Sequence, residues 1–332
     1  MKKRFGPILA AALAASLPAE GGLFRAYLSS KGSDSDPCTV AAPCRLLPAA
    51  LAAVADGGEV WMLDSANYNT GAVTIAKSVT ILAVPSAVGS LVAPSSPAIL
   101  VNGAGARVVL RNLSFSNIAG MPGNAGVVVT AASSLTVERC TFSKLGGSGI
   151  SVNAPATVRV IDSTLRDNGS VALSLASGTR TTNSGTTIAG HPLAGVWAYL
   201  ATAGTMTTVD VIDSVLAGNG DGYRLLSATA GADARGSIVR TAVLDNATVG
   251  AAAQSVAGSS VVLSVAESHF AGNRTHLLAN FPGSRLWVSA TTLVDAATAF
   301  NGLQGVVESA GNNAMRNNAV DSTVPVPVVP LP

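Results

Sequence analysis

The sequence predicts an all-β chain wound into a parallel β-helix. Three observations carry that expectation: the composition, a unit that returns along the chain, and a period-two alternation inside each unit. The 332 residues are 48% hydrophobic but only 11% charged and 4% aromatic. The core must therefore come from Val, Ile, Leu and Ala, and 34 glycines among many Ser, Thr and Asn supply turns between short strands. VRVIDSTLRDNG, Val158 to Gly169, returns as VDVIDSVLAGNG, Val209 to Gly220. Aligned on one apolar anchor, the units form a column of Phe115, Phe142, Leu165, Ile188, Leu216, Leu244, Phe270 and Leu293, with a degenerate ninth member at Asn312. A period of this length means stacked supersecondary units.

The elements follow in order from the N-terminus. Lys2-Lys3-Arg4 precedes an apolar run from Phe5 to Leu17 and a small residue at Ala19, so residues 1–19 read as a secretory signal peptide. That run is too short to span a bilayer, and no later stretch reaches the length of a transmembrane segment. Residues 20–70 open the mature chain with a strand and a loop. Cys38 and Cys44 lie six apart, a spacing that closes a small disulfide in an oxidising compartment. No His or further Cys stands near them to complete a zinc site. In the GSDSDP segment, Asp34 and Asp36 are candidate Ca²⁺ ligands, although the composition fits an ordinary turn better.

Residues 71–320 hold the coils. In SLTVERCTFSKLGGSGISV, Leu135 and Val137 alternate with Thr136 and Glu138 before a bend at Arg139. Cys140 and Phe142 then flank Thr141, and a Gly-rich turn leads to Ile150-Ser151-Val152. Three strands per roughly 25-residue unit is the pattern of a β-helix. The bend column reads Asn112, Arg139, Asp162, Gly185, Asp213, Thr241 and Glu267, and it calls for left-handed backbone. Two residues before the anchor stand Leu113, Cys140, Ser163, Thr186, Ser214, Ala242, Ser268 and Thr291, a small inward stack that makes Cys140 a buried, inert thiol. Asn168, Asn219, Asn246 and Asn273 recur just past the anchor and suit the next turn. The Pro-rich tail, residues 321–332, cannot join a ladder and should lie along or off the C-terminal end.

This pattern resembles the right-handed parallel β-helix proteins of the pectate-lyase-like superfamily. The segment AYLSSKGSDSDPCTVAAPCRLLPAALAAVADGGEVWMLDSANY, residues 26–68, resembles the opening of a secreted bacterial branch of it. The resemblance implies one right-handed solenoid of about ten coils with an N-terminal capping helix over Pro48 to Ala55. It also implies a bacterial protein that is secreted, periplasmic or on the cell surface. Enzymes of this superfamily cut or remodel polysaccharides, and their sites need clustered carboxylates around Ca²⁺ with an Arg or Lys base, or aspartates in NTD, DD and GHG motifs. None of those motifs occurs here. GHP at His191 is the nearest, so whether the chain is an enzyme stays open.

Two sets of side chains are candidates for function. Asp162 and Asp213 occupy equivalent bends two coils apart, with Asp210 nearby, and are weak candidates for an acid/base pair; bend aspartates also have a structural role. On the third strand, GVWAYL sends Val196, Ala198 and Leu200 inward and leaves Trp197 and Tyr199 outward. In GYRLL, Tyr223 and Leu225 turn inward and Arg224 outward. Two rings and a guanidinium on adjacent rungs make a stacking platform for sugars, unless GHPLAG or ATAGTMTT folds over them. His276 and Leu278 are expected to continue this face. The expected partner is a polysaccharide or other glycan, bound without catalysis; a lyase or hydrolase and a structural or adhesion module are the alternatives. A net charge of +2 without a Lys/Arg track speaks against nucleic acid. No cofactor is expected beyond Ca²⁺ at Asp34 and Asp36, and the oligomeric state is left open.

Overall fold

The computed structural model describes residues 22–94, 96–117 and 123–329; the expected signal peptide lies outside them. Three parallel sheets of twelve, eleven and eleven strands run the length of a solenoid of about ten turns. One coil shows the plan. Thr157–Ile161 lies in the first sheet, Thr164–Arg166 in the second and Val171–Leu175 in the third. Each pairs in parallel with its counterparts one coil away, as Leu165 does with Phe142 and Ile188. Inward residues of all three sheets merge into one apolar interior, where Phe115 and Phe142 stack with centroids 4.4 Å apart.

Two left-handed residues bracket each of the seven second-sheet strands from Thr141–Ser143 to Thr292–Val294. The first column is the expected bend: Asn112, Arg139, Asp162, Gly185, Asp213, Arg240, Glu267 and Ala290 all have φ between 44° and 62°. The second stands two residues past the anchor, at Lys144, Asp167, Gly190, Gly218, Asp245, Gly272, Asp295 and Asn317. A left-handed residue bends the chain sharply within one peptide, so the strand between two of them shrinks to three residues.

The anchor column needs two corrections. Leu216 pairs with Val243, and Val243 with Phe270, so Val243 is the buried anchor and Leu244 faces outward. At the C-terminal coil Leu293 pairs with Met315, not Asn312. The slip at Val243 moves the bend from Thr241 to Arg240 and puts Thr241, not Ala242, in the small inward column.

That column is hydroxyl-rich for a reason beyond size. The bend leaves the following N–H without a ladder partner, and a hydroxyl one coil on accepts it. Cys140 N donates to Ser163, Thr186 N to Ser214, Ser214 N to Thr241, Thr241 N to Ser268 and Ser268 N to Thr291, at 3.1–3.4 Å. Each hydroxyl in turn donates to the carbonyl two residues back, as Ser214 does to Ile212. Buried backbone groups are thereby satisfied where the sheets break. The asparagines serve the other corner: Asn219 N donates to Asn246 Oδ1 and Asn246 N to Asn273 Oδ1, both 3.0 Å. Cys140 is buried as expected, and burial pushes its thiol up to about 12.

The ends are closed differently. At the N-terminus the helix spans Leu47–Ala53, not Pro48 to Ala55, because Val54 and Ala55 already belong to the strand Val54–Met62 that pairs with Leu23–Leu28. Cys38 and Cys44 form the disulfide. At the C-terminus, Val324 and Val326 pack against the core. The tail also reaches the ladder after all: Ser309 N donates to the Pro327 carbonyl at 3.0 Å and Val329 N to Ser309 O at 2.8 Å. Pro325 and Pro327 have no N–H, which holds the contact to a single bridge at Val328.

Candidate binding face on the third sheet

Strand Ala194–Leu200 pairs with Asp221–Ser227, placing Trp197 beside Arg224 and Tyr199 beside Leu226. Val196, Ala198, Leu200, Tyr223 and Leu225 are fully buried, so the alternation holds and the rings face outward. Tyr199 is 48% exposed. Trp197 is half-buried, its indole meeting Tyr199 edge-on at 6.3 Å between centroids, with the Arg224 guanidinium 6.0 Å from its ring centre. The Trp197 Nε1 is shielded from water and has no acceptor, so the ring offers its carbon surface. Neither candidate turn covers Tyr199; Leu193 and Met206, one from each segment, are themselves exposed.

Asp221 completes the group and was missed in the sequence. Its side chain is 5% exposed, with Oδ2 3.1 Å from Arg224 Nε. By distance this is an ion pair, but it lacks the alignment of a hydrogen bond, since Nε has no other partner and makes none here. Burial raises the Asp221 pKa and the Arg224 charge opposes the rise. The two are three apart, and two successive inward residues, Gly222 and Tyr223, put them on the same side of the strand.

Beyond Arg224 the face does not continue as expected. Ala252 and Leu278 follow Arg224 in register, but with Val249 they form a separate buried apolar cluster. His276 is fully buried. It stands where earlier coils carry Gly195, Gly222 and Gly250, positions whose Cβ would point into the interior. Its Nε2–H donates to Val294 O at 2.9 Å, while Nδ1 lies 3.1 Å from Asn273 Nδ2. His191 is likewise inside the asparagine ladder, between Asn168 and Asn219.

The aspartate candidates are not drawn into one site. Asp213 is held by Arg240 at 2.7 and 3.0 Å, and this bond lowers its pKa. Asp210 accepts from the Ser237 hydroxyl, and the Asp162 carboxylate lies over Gly185 at the bend between them. Asp34 caps the approach to the helix, accepting from the amides of Arg45 and Leu46 at 2.9 and 2.7 Å, and Asp36 sits in the adjoining turn. Among the described residues, no three His, Cys, Asp or Glu side chains converge to hold a metal ion.

The model of the right-handed β-helix region matches residues 97–222. The chain is a right-handed parallel β-helix. It is similar in structure to pectate lyase Pel9A, at 17% identity and a TM-score of 0.59 over 90% of this chain and 78% of that one. It is similar also to the A-module of the Azotobacter vinelandii mannuronan C-5 epimerase AlgE4, at 15% identity and 0.54 over 82% of this chain and 90% of that one. A rhamnogalacturonan lyase gives 15% and 0.54 over 91% and 86%. At these identities the likeness establishes the pectate-lyase-like architecture alone. No curated protein sequence matches the chain. Among the described residues no helix is long and apolar enough to cross a membrane.

Proposed function

We propose that this β-helix is an exported protein that holds an extracellular or envelope polysaccharide against the outer face of its third sheet without cleaving it. One observation carries the reading: in a chain with 14 aromatic residues, Trp197 and Tyr199 lie side by side on the outside of one strand. Aromatic faces stack on the apolar faces of sugar rings. The leader-like N-terminus and the disulfide support export. The fold neighbours named for pectate, mannuronan and rhamnogalacturonan support a polysaccharide as the class of ligand. A lyase or hydrolase would need carboxylates that converge, and the three candidate aspartates are engaged at separate positions along the first sheet and its bends.

The test is retention on a panel of insoluble and gel-immobilised polysaccharides. Trp197→Ala and Tyr199→Ala are each expected to weaken binding about tenfold, the loss of a stacked ring. Retention unchanged in both variants would remove the third sheet from the account.

A further inference from the structure

The strands of the third sheet differ from those of the first in charge. Ten of the twelve strands of the first sheet carry at least one charged side chain, among them Arg111, Glu138, Arg159 and Asp210. The eleven strands of the third sheet carry three, Asp221, Arg224 and Asp321. Asp321 lies on the last strand, Val320–Ser322, at the far C-terminal end. Among the described residues, then, the only Lys or Arg on the strands of this sheet is Arg224, and Asp221 already faces it at 3.1 Å. The other outward neighbours are neutral: Ser151 and Ser174 on the rungs before Trp197, and Asn280 in the column of Tyr199, where the intervening Gln254 is buried.

Resting on the reading of this face as a glycan site, we infer that its ligand is a neutral polysaccharide and that Asp221 is the residue that excludes uronates. A uronate polymer brings one carboxylate per ring, and each must lose water to lie on an apolar platform. Compensation takes cations spaced along the track, and this sheet offers a single guanidinium whose charge is balanced from beneath. A neutral sugar makes no such demand. It needs ring faces, which Trp197 and Tyr199 supply, and uncharged donors and acceptors, which the half-buried Ser and Asn side chains supply. Arg224 braces the indole and presents N–H groups to hydroxyls while Asp221 cancels its long-range pull on anions.

The experiment compares the oxidised, mature chain with Trp197→Ala and Asp221→Asn on xylan, galactan and β-glucan beside polygalacturonate and alginate, each at low and high salt. The wild type is expected to bind at least one neutral polymer, to lose that binding in Trp197→Ala, and to bind both uronates at least about tenfold more weakly. Its binding to the neutral polymer should not change with salt. Asp221→Asn unbalances Arg224 and should strengthen uronate binding about tenfold, the worth of one charge-assisted hydrogen bond, in a salt-sensitive manner. Should that variant not fold, the salt dependence of the wild type decides. Uronate binding as tight as neutral binding, and lost in Trp197→Ala, overturns the neutral-ligand inference and leaves the face as the glycan site. Failure to bind either class, or binding that survives Trp197→Ala, overturns both.

Discussion

Gly236 is glycine because of a side chain 13 residues before it. The Tyr223 hydroxyl lies inside the solenoid, where it donates to the Val209 carbonyl at 2.7 Å. A Cβ built on Gly236 would stand 2.1 Å from that oxygen. In register Gly236 sits between Val209 and Leu263, an inward position that other coils fill with an aliphatic side chain. Gly236→Ala should therefore cost about 1–3 kcal/mol through overpacking, and Tyr223→Phe about 1 kcal/mol through the lost hydrogen bond. Together they should cost less than the sum, because removing the hydroxyl relieves the closest clash and leaves Leu225 Cδ1, at 2.8 Å, as the next. Urea denaturation of the three variants measures this, and additive losses would show that the glycine serves something else. The sequence marks Tyr223 as inward by alternation but gives no hint of the glycine's role, since the two meet only once the coil has closed.

Among the elements, the corner ladders were the part least open to reading. Alternation found the strands and their inward faces, but it cannot choose between Val243 and Leu244, which are adjacent and both apolar. The deciding feature was Thr241, whose hydroxyl continues the column of Ser214 and Ser268; read only as a size requirement, that column accepted Ala242 instead. The outward placement of Trp197, Tyr199 and Arg224 was legible for the same reason that the strands were, and the reading failed at His276, where two successive inward positions, as at Gly222 and Gly250 before it, shift which residues point outward. This misplaced histidine carries a measurable consequence. Asn273 Oδ1 accepts from Asn246 N, so its Nδ2 must face His276 Nδ1, and protonating that nitrogen would set two donors against each other. Burial first, with the charge of His269 adding to it against the hydrogen bonds to Val294 and Asn318, lowers His276 to about 4, and burial lowers His191 as well. The unfolded histidines titrate near 6.5. Above that pH both states are neutral and nothing is lost; as pH falls from about 6.5 towards 4 the unfolded chain takes up protons that the fold refuses, so stability falls. The melting temperature should drop between pH 7 and pH 5, and a His191→Gln/His276→Gln chain should show a flatter profile over that interval. An equal slope in both proteins would assign the loss to other groups.

At the scale of the molecule, a solenoid contacts itself only between neighbouring coils, so its ends must be closed by something other than a coil. The two closures here share no residues. The N-terminal one is a seven-residue helix and a disulfide of sequence separation 6; cross-linking so short a loop contributes about 2 kcal/mol by chain entropy. The C-terminal one is a strap in which Val324 and Val326 cover the last coil and Thr323 N donates to Phe300 O. If coils couple mainly to their neighbours, loss of either closure should be felt locally before it is felt globally. Truncation after Ser322 is then expected to speed amide hydrogen exchange in Thr298–Leu303 and Val306–Ser309. The central strands Thr205–Ile212 and Ala232–Val239 should keep their protection. Cys38→Ser/Cys44→Ser should do the converse, loosening Leu23–Leu28 and leaving the last coils protected. The truncated chain should also self-associate with rising concentration, because the strap no longer shields the edge at Ser309 and the apolar end at Phe300. Uniform loss of protection along the whole chain after either change would mean that the solenoid unfolds as one unit, with its ends acting as the only barrier to opening.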